Sequence, residues 1–371
     1  TFIATPTPEP TAALGRFHLL AWRWHFYAGL CVVPFLLMLA ITGLVMVFFT
    51  GFQHRLGMNI PVVPQAQTAT VNVQAPAVLA RVPGAQLKVY VAPKSTTLPA
   101  WFTVKVGDRI ESVAVNPYTA EVMRTVDKES TVFAWAEKVH GTLLIGDVGD
   151  RLIEVAAGLG VVLIVTGVYM AWPRGRTGWA QVLVPDVKAR GRAWWKSLHV
   201  SVAFWMGLVL AFFLVTGLSW AGIWGGQFVQ PWGSFPASKW DDVPTSDATH
   251  AALSTPGLKE VPWGLELTPL PASGSAAGQP GIAAGQPVNL ETVNAYARSI
   301  GFAGQYRVAV PQDETGVYTV SADSMAGDLT DPTGDRYVHI DRHTGKVLAQ
   351  VSFADYSPMA KFMAVGTALH Q

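Results

Sequence analysis

Three stretches of the chain are almost free of charged residues and are long enough to form membrane-spanning helices. Leu30 to Phe49 and Val200 to Trp224 contain no charged residue, and Ile153 to Trp172 contains only Glu154. The hydrocarbon core of a bilayer needs about 20 apolar residues in helical form. The pattern therefore predicts a polytopic membrane protein. Its predicted membrane helices occupy residues 25–50, 151–172 and 197–224.

The two long polar segments, residues 51–150 and 225–357, have the alternating pattern of small α+β modules. In the first, three predicted strands are Ala100–Lys105, Arg109–Val115 and Glu121–Val126. In the second, Leu290–Ile300 has the periodicity of an amphipathic helix. Four further predicted strands are Gln305–Val310, Val317–Ala322, Tyr337–Asp341 and Val347–Phe353.

The chain has the pattern of a duplication. The hairpin sequences VAVNPYTAEVMRTV, from Val113, and VHIDRHTGKVLAQV, from Val338, match in length and in the position of the turn. The second copy ends in SPMAKFMAVGTALHQ, so residues 358–371 are predicted to begin a fourth membrane segment that continues after the last residue. The predicted fold class is a membrane all-α helical bundle, with three complete spans visible and a fourth expected, carrying two extracytoplasmic α+β modules.

The distribution of basic residues predicts the orientation in the membrane. The loop at residues 173–196 carries six basic residues against the single acidic residue Asp186: Arg174, Arg176, Lys188, Arg190, Arg192 and Lys196. We expect this loop to be cytoplasmic, with the N-terminal residues 1–24 on the same side. Both modules then face outward, into the periplasm if the protein lies in a bacterial inner membrane. The net charge of +1 gives no indication of nucleic-acid binding.

Four histidines occupy duplicated positions. His25 and His199 stand at the entrances of the first and third spans, and His140 and His370 precede the second and the expected fourth. A single interfacial histidine is most simply an amphipathic residue with its polar end in the headgroups. However, Gly43 and Gly217 each follow their histidine by 18 residues. Because 18 residues are five helical turns, each glycine lies on its histidine's face, about 27 Å deeper.

A histidine at one end of a helix face and a glycine at the other indicate a flat, bulky cofactor at each end. The histidine would bind the cofactor, and the glycine would leave space for it. Small residues alone are typical of helix packing, but axial histidine is a common haem ligand. Zinc would need about four clustered ligands. A C-x-x-C-H sequence is absent, which excludes covalent c-type haem. The simplest arrangement is two haems b, held by His25 with His199 near the cytoplasmic face and by His140 with His370 near the outer face. His54 is the alternative outer ligand.

Several strings carry a family resemblance. They are RWHFYAGL, KVHGTLLIGDVGDRLIE, SLHVSVAFW and the terminal ALHQ, together with the two hairpins. With them the chain resembles the PepSY-associated transmembrane family of bacteria and, within it, the di-haem inner-membrane ferric-siderophore reductases. The resemblance implies four spans, two periplasmic PepSY-like modules, and His25, His140, His199 and His370 as haem ligands. It also implies reduction of ferric siderophore in the periplasm, with release of Fe(II), by electrons from an unidentified cytoplasmic or membrane donor.

Two other functions remain open at this stage. The protein could be a non-enzymatic PepSY membrane module that binds a peptide or a protease, or a permease for iron or siderophore. Transport paths usually contain ionisable groups within the membrane, and the spans have almost none away from their ends, which disfavours the permease. No G-x-S-x-G, H-E-x-x-H or P-loop motif is present, so no catalytic residues are predicted. His339, His343 and Tyr337 are candidate substrate contacts, although exposed strand residues are the simpler interpretation of all three.

Overall fold

The computed structural model describes residues 10–52, 55–56, 59–174, 178–240, 242–256 and 258–370. The helices are α1 (Pro10–Gly51), α2 (Val71–Arg81), α3 (Val132–Thr142), α4 (Asp147–Ala171), α5 (Ala180–Leu183), α6 (Arg192–Leu218), α7 (Gln230–Gly233), α8 (Leu290–Ser299) and α9 (Pro358–His370). The strands are β1 (Gln86–Val91), β2 (Ala100–Val106), β3 (Arg109–Val115), β4 (Val122–Asp127), β5 (Thr245–Thr249), β6 (Pro269–Pro271), β7 (Arg307–Ala309), β8 (Val317–Ala322), β9 (Arg336–Asp341) and β10 (Val347–Ser352).

The chain divides into a helical unit and a sheet unit. The helical unit contains α1 up to Ile41 and the segment Gly141–Gln227, and the sheet unit contains Thr42–His140 and the segment that begins at Phe228. Among the described residues, three helices are long and apolar enough to cross a membrane: Gly15–Gly51, α4 and α6. These helices coincide with the three predicted spans, and the protein is a membrane protein with an α+β region outside the spans.

The spans differ in length from the prediction. α6 ends at Leu218 rather than Trp224, and the chain then turns back towards the beginning of α4. The N–H groups of Gly222 and Trp224 donate to the carboxylates of Asp150 and Glu154, at 3.0 and 2.5 Å. These bonds satisfy Glu154, the one acidic residue in the second predicted span. An acidic group in the first turn, such as Asp150, also stabilises α4 through the helix dipole.

Small residues let the membrane helices pack closely. A Cβ added at Gly29 of α1 would lie 3.5 Å from Leu163 of α4, and one at Gly160 of α4 would lie 3.2 Å from Leu214 of α6. On another face of α1, the exposed residues Leu30, Leu37 and Leu44 recur at seven-residue spacing. Such a row of large apolar side chains is the face that lipid covers.

α9 occupies the residues predicted to begin a fourth span. It is 13 residues long. Ala360 and Met363 are buried, whereas Met359, Phe362 and Leu369 form an exposed apolar face. One side of α9 is therefore buried, and the other side exposes apolar side chains.

The two polar segments contribute to one antiparallel sheet. Its strand order is β10-β9-β8-β7-β1-β2-β3-β4, so two four-stranded meanders meet where β1 pairs with β7. In that pairing Tyr90 stands opposite Val308. A helix precedes each meander, α2 before β1 and α8 before β7, and these two helices contact each other. The core between helices and sheet includes the buried side chains of Val78, Phe102 and Val293.

The seven strands and the amphipathic helix predicted from alternation are confirmed to within two residues at each end. The prediction missed α2, β1 and the short β5–β6 hairpin. The matching hairpin sequences form β3–β4 and β9–β10, which lie at opposite edges of the sheet. The duplication seen in the sequence is thus also present in the order of the strands.

Candidate functional site

The four duplicated histidines form two pairs. In the helical unit, His25 of α1 faces His199 of α6, with 6.3 Å between ring centroids and 80° between ring planes. In the sheet unit, His140 of α3 faces His370 of α9, with the same 6.3 Å and an angle of 86°. These pairs are the two that the duplication suggested. His54, the alternative ligand, lies outside the described residues.

The surroundings of His25 fix which ring nitrogen carries the proton. Nδ1 lies 3.1 Å from the carbonyl oxygen of Leu163 and 3.1 Å from Oγ1 of Thr166. A carbonyl oxygen only accepts, and the Thr166 hydroxyl already donates to the carbonyl of Val162, at 2.6 Å. Nδ1 therefore carries the hydrogen and donates to both oxygens. Nε2 keeps its lone pair, which is the form in which histidine binds a metal.

The surroundings of His140 are similar. Its Nδ1 lies 2.9 Å from Oγ1 of Thr42. The next residue, Gly43, faces the ring edge, because an added Cβ would lie 3.6 Å from Cε1 of His140. Gly167, which follows Thr166, faces His25 in the same way, and a Cβ there would lie 3.1 Å from Cε1. Each ring therefore rests on a Thr-Gly pair from a neighbouring helix.

The spacing within both pairs suits a metal held between two imidazoles. A metal–imidazole bond is about 2.0 Å and the ring centroid lies about 1.15 Å behind the nitrogen, which places the centroids about 6.3 Å apart when the two rings bind opposite sides. Both pairs have this separation. Two histidines in direct hydrogen bond come closer, as His250 and His339 show, with centroids 4.9 Å apart and 3.0 Å between their Nε2 atoms.

The donor set favours haem over a bare metal ion. Axial ligation of haem iron needs two imidazoles and no further protein ligand. Across the part of the chain that the structure describes, no three His, Cys, Asp or Glu side chains cluster as a metal site. Each histidine pair supplies the two imidazoles that such axial ligation would use.

The sequence profile of the PepSY-associated TM region matches residues 22–371, which include all four histidines. The chain belongs to the PepSY-associated transmembrane family. Among curated proteins, no sequence matches the chain.

In this PepSY-associated protein, helix α3 carries a half-buried carboxyl group, that of Glu137, one turn before His140. Burial raises the pKa of Glu137 to about 7, and the Arg55 guanidinium acts in the opposite direction. Arg55 itself lies over the ring of Phe133, at 5.1 Å, and donates to the carbonyl of Met325. Glu137 therefore titrates near neutral pH, close to a candidate ligand.

A buried ion-pair network lies in the same sheet unit. Glu260 pairs with Lys128 at 2.7 Å and with Arg307 at 3.3 Å, and Arg307 also pairs with Asp328 at 3.0 Å. Burial opposes ionisation of Glu260, but the two cations outweigh it and hold the pKa of Glu260 well below its usual range. The network connects the first polar segment, which contains Lys128, with the second, which contains Glu260 and Arg307.

Two suggested substrate contacts of the PepSY-associated protein are in the interior. The interpretation of His339 and Tyr337 as exposed strand residues is wrong, because both are buried. His339 Nδ1 lies 3.0 Å from Oγ1 of Thr319, and its Nε2 bonds His250. The Tyr337 hydroxyl donates to Asp323, at 2.7 Å. Strand alternation could not reveal this, because the outer face of the sheet is covered by residues distant in sequence.

Sequence reasoning also missed the threonines. It gave Gly43 a role as clearance but gave none to Thr42 or Thr166. Thr166 meets a histidine 141 residues away and Thr42 meets one 98 residues away. The available signal was the Thr-Gly string repeated in all three spans, at Thr42, Thr166 and Thr216.

Proposed function

We propose that the protein is a haem-containing reductase of the bacterial inner membrane. It passes electrons from the cytoplasmic to the periplasmic side and reduces ferric siderophore there, with release of Fe(II). The observation that carries the haem is the 6.3 Å separation within both histidine pairs. The siderophore comes from the resemblance to the di-haem ferric-siderophore reductases, of which FoxB is an example.

Each histidine pair holds one haem b in this account. His25 and His199 ligate the first, and His140 and His370 ligate the second. When bound, each haem supplies a one-electron redox centre whose potential depends on ligands, burial and nearby charge. Thr166 and the Leu163 carbonyl keep Nε2 of His25 available for the iron.

The substrate fits one-electron chemistry. A siderophore binds Fe(III) far more tightly than Fe(II), so a single electron weakens the complex. That electron leaves a cytoplasmic or membrane donor and reduces Fe(III) to Fe(II). The basic loop at residues 173–196 supports an orientation with both polar segments in the periplasm, where ferric siderophore arrives.

Haem stoichiometry of the purified full chain tests the cofactor. We expect two haems b per chain by pyridine haemochrome assay. His199→Ala should remove one haem and spare the other, and His370→Ala should do the reverse. His18→Ala is the matched control, because His18 lies on α1 but contacts the ring of Tyr169 rather than a histidine. A folded, colourless protein would contradict the proposal and favour a non-enzymatic peptide-binding module.

The substrate is tested separately. The chemically reduced protein is mixed with ferric siderophore under anaerobic conditions, and Fe(II) is trapped with a coloured chelator. We expect reoxidation of the haem spectrum together with stoichiometric Fe(II). A haem-loaded protein that stays reduced would overturn the substrate but not the cofactor. Siderophore uptake into vesicles without any electron donor would favour a permease.

A further inference from the structure

The Thr-Gly pairs have a second feature in common besides their sequence. Each threonine contacts Nδ1 of a histidine on another helix, and each glycine faces Cε1 of the same ring. This holds for Thr166 with Gly167 beneath His25, and for Thr42 with Gly43 beneath His140. The two instances lie on different helices and in different units, so they are independent observations.

We propose that each Thr-Gly pair is a positioning unit for a haem-ligating histidine, in which the threonine sets the basicity of the ligand and the glycine sets its distance from the helix. The inference rests on the proposed function. The threonines and glycines contact the histidine rings, so they act through the histidines.

The helix itself prepares the threonine oxygen for this role. Within a helix, a threonine hydroxyl can donate to the carbonyl four residues earlier. Thr166 donates to Val162 in this way, at 2.6 Å, which leaves its oxygen lone pair for the Nδ1–H of His25. An acceptor on Nδ1–H makes a metal-bound imidazole a stronger donor and fixes its ring orientation. A stronger donor stabilises Fe(III) over Fe(II) and lowers the reduction potential.

Gly167 and Gly43 differ in the space that is available for an added methyl group. A Cβ at position 167 would lie 3.1 Å from Cε1 of His25, which is closer than an ordinary contact, so the ring would have to move. At position 43 the corresponding distance is 3.6 Å, which is an ordinary van der Waals contact. Alanine at position 167 would therefore displace the ring of His25 by a few tenths of an ångström, whereas Gly43 leaves room for one methyl group.

The duplication places a third Thr-Gly pair at Thr216 and Gly217. Thr216 follows His199 by 17 residues, as Thr42 follows His25 by 17. Thr216 is buried and donates to the carbonyl of Phe212, at 2.9 Å, just as Thr166 does to Val162.

Redox titration of the full chain in detergent, followed by absorption spectroscopy, tests the threonines. We expect Thr166→Val to shift one of two midpoint potentials upward and leave the other unchanged, while Thr42→Val shifts the other one. Valine has the shape of threonine but accepts no hydrogen bond. Thr166→Ser and Thr42→Ser should restore the wild-type potentials. Thr50→Val, at an exposed position on α1, is the control and should shift neither.

Haem retention tests the glycines. We expect Gly167→Ala to weaken retention of one haem by roughly tenfold, in the range seen when partners of metal ligands are changed. Gly43→Ala should retain both haems. The positioning role would be overturned if both Thr→Val proteins kept two haems with unchanged midpoint potentials. It would also be overturned if Gly43→Ala and Gly167→Ala lost haem to the same extent. A wild-type protein without haem would instead overturn the proposed function, so the two failures are distinguishable.

Discussion

The ammonium group of Lys128 lies 2.7 Å from the carboxylate of Glu260, and both side chains are 12% exposed. Lys128 follows β4 directly, whereas Glu260 belongs to the segment between the third span and α8. The ion pair thus ties the two polar segments of the chain together, in addition to the sheet that they share.

Removing one partner of this pair should destabilise the sheet unit strongly. We expect Lys128→Met to lower the free energy of unfolding by about 3 kcal/mol, because Glu260 loses one largely buried counter-charge while its ion pair with Arg307 stays. Thermal or denaturant unfolding in detergent measures the loss. Lys138→Met is the matched control. It breaks a more exposed pair with Glu129 and should cost under about 1 kcal/mol. Equal costs for the two variants would contradict the prediction.

The two edge hairpins differ at one strained position. Ala120 has a φ of 58° where the matching hairpin has Gly345, with a φ of 69°. A left-handed backbone conformation costs an L-residue roughly 1–2 kcal/mol. Glycine avoids this cost, but it loses more conformational entropy on folding, which offsets part of the gain. We therefore expect Ala120→Gly to raise the free energy of unfolding by about 0.5–1 kcal/mol.

The reverse substitution in the second hairpin should change the free energy of unfolding by a larger amount. A Cβ at Gly345 would lie 2.9 Å from Cβ of Ile282, in addition to the unfavourable φ. Gly345→Ala should destabilise the protein by more than Ala120→Gly stabilises it. A neutral Gly345→Ala variant would show that the second turn rearranges.

The buried His250–His339 pair should make the sheet unit sensitive to acid. Burial lowers the pKa of His250 to about 4, although the Thr268 carbonyl raises it. Between pH 6.5 and 4 the unfolded chain binds a proton at this histidine that the folded chain does not, so stability falls as the pH falls. The loss from His250 alone reaches roughly 3 kcal/mol near pH 4.

A variant isolates this contribution. The amide of His250→Gln can donate to the Thr268 carbonyl and accept from His339, but it does not titrate. We expect its stability to depend less steeply on pH between 6.5 and 4 than that of the wild type. His343→Gln, at a histidine whose contacts are in an exposed turn, should keep the wild-type slope. Parallel pH profiles for wild type and His250→Gln would refute the assignment.

Much of the sheet could be predicted from the sequence because alternation is a local property. β2 and β3 have long alternating runs, and their bounds were found almost to the residue. β1 has only Leu87, Val89 and Val91 as an apolar row, and α2 contains Pro76, which disfavours a helix interior. The joining of two modules into one sheet depends on pairs such as Val89 with Ala309, which no local pattern reveals.

The candidate site, like the sheet, could be predicted from the sequence only in part. The duplication pointed to His25 with His199 and to His140 with His370, because equivalent positions in two copies occupy equivalent places. The contacts that hold the rings are between different helices. Thr166 could be recognised as a partner of His25 only when α1 and α4 were seen side by side.

The electron paramagnetic resonance spectrum of the oxidised, purified full chain tests the central claim most directly. Near-perpendicular ring planes, 80° and 86° apart, give low-spin ferric haem with a highly anisotropic signal when both histidines bind the iron. We predict two such signals, one lost in His199→Ala and the other in His370→Ala. A high-spin ferric signal from the wild type, or a folded protein with no haem signal, would contradict the account.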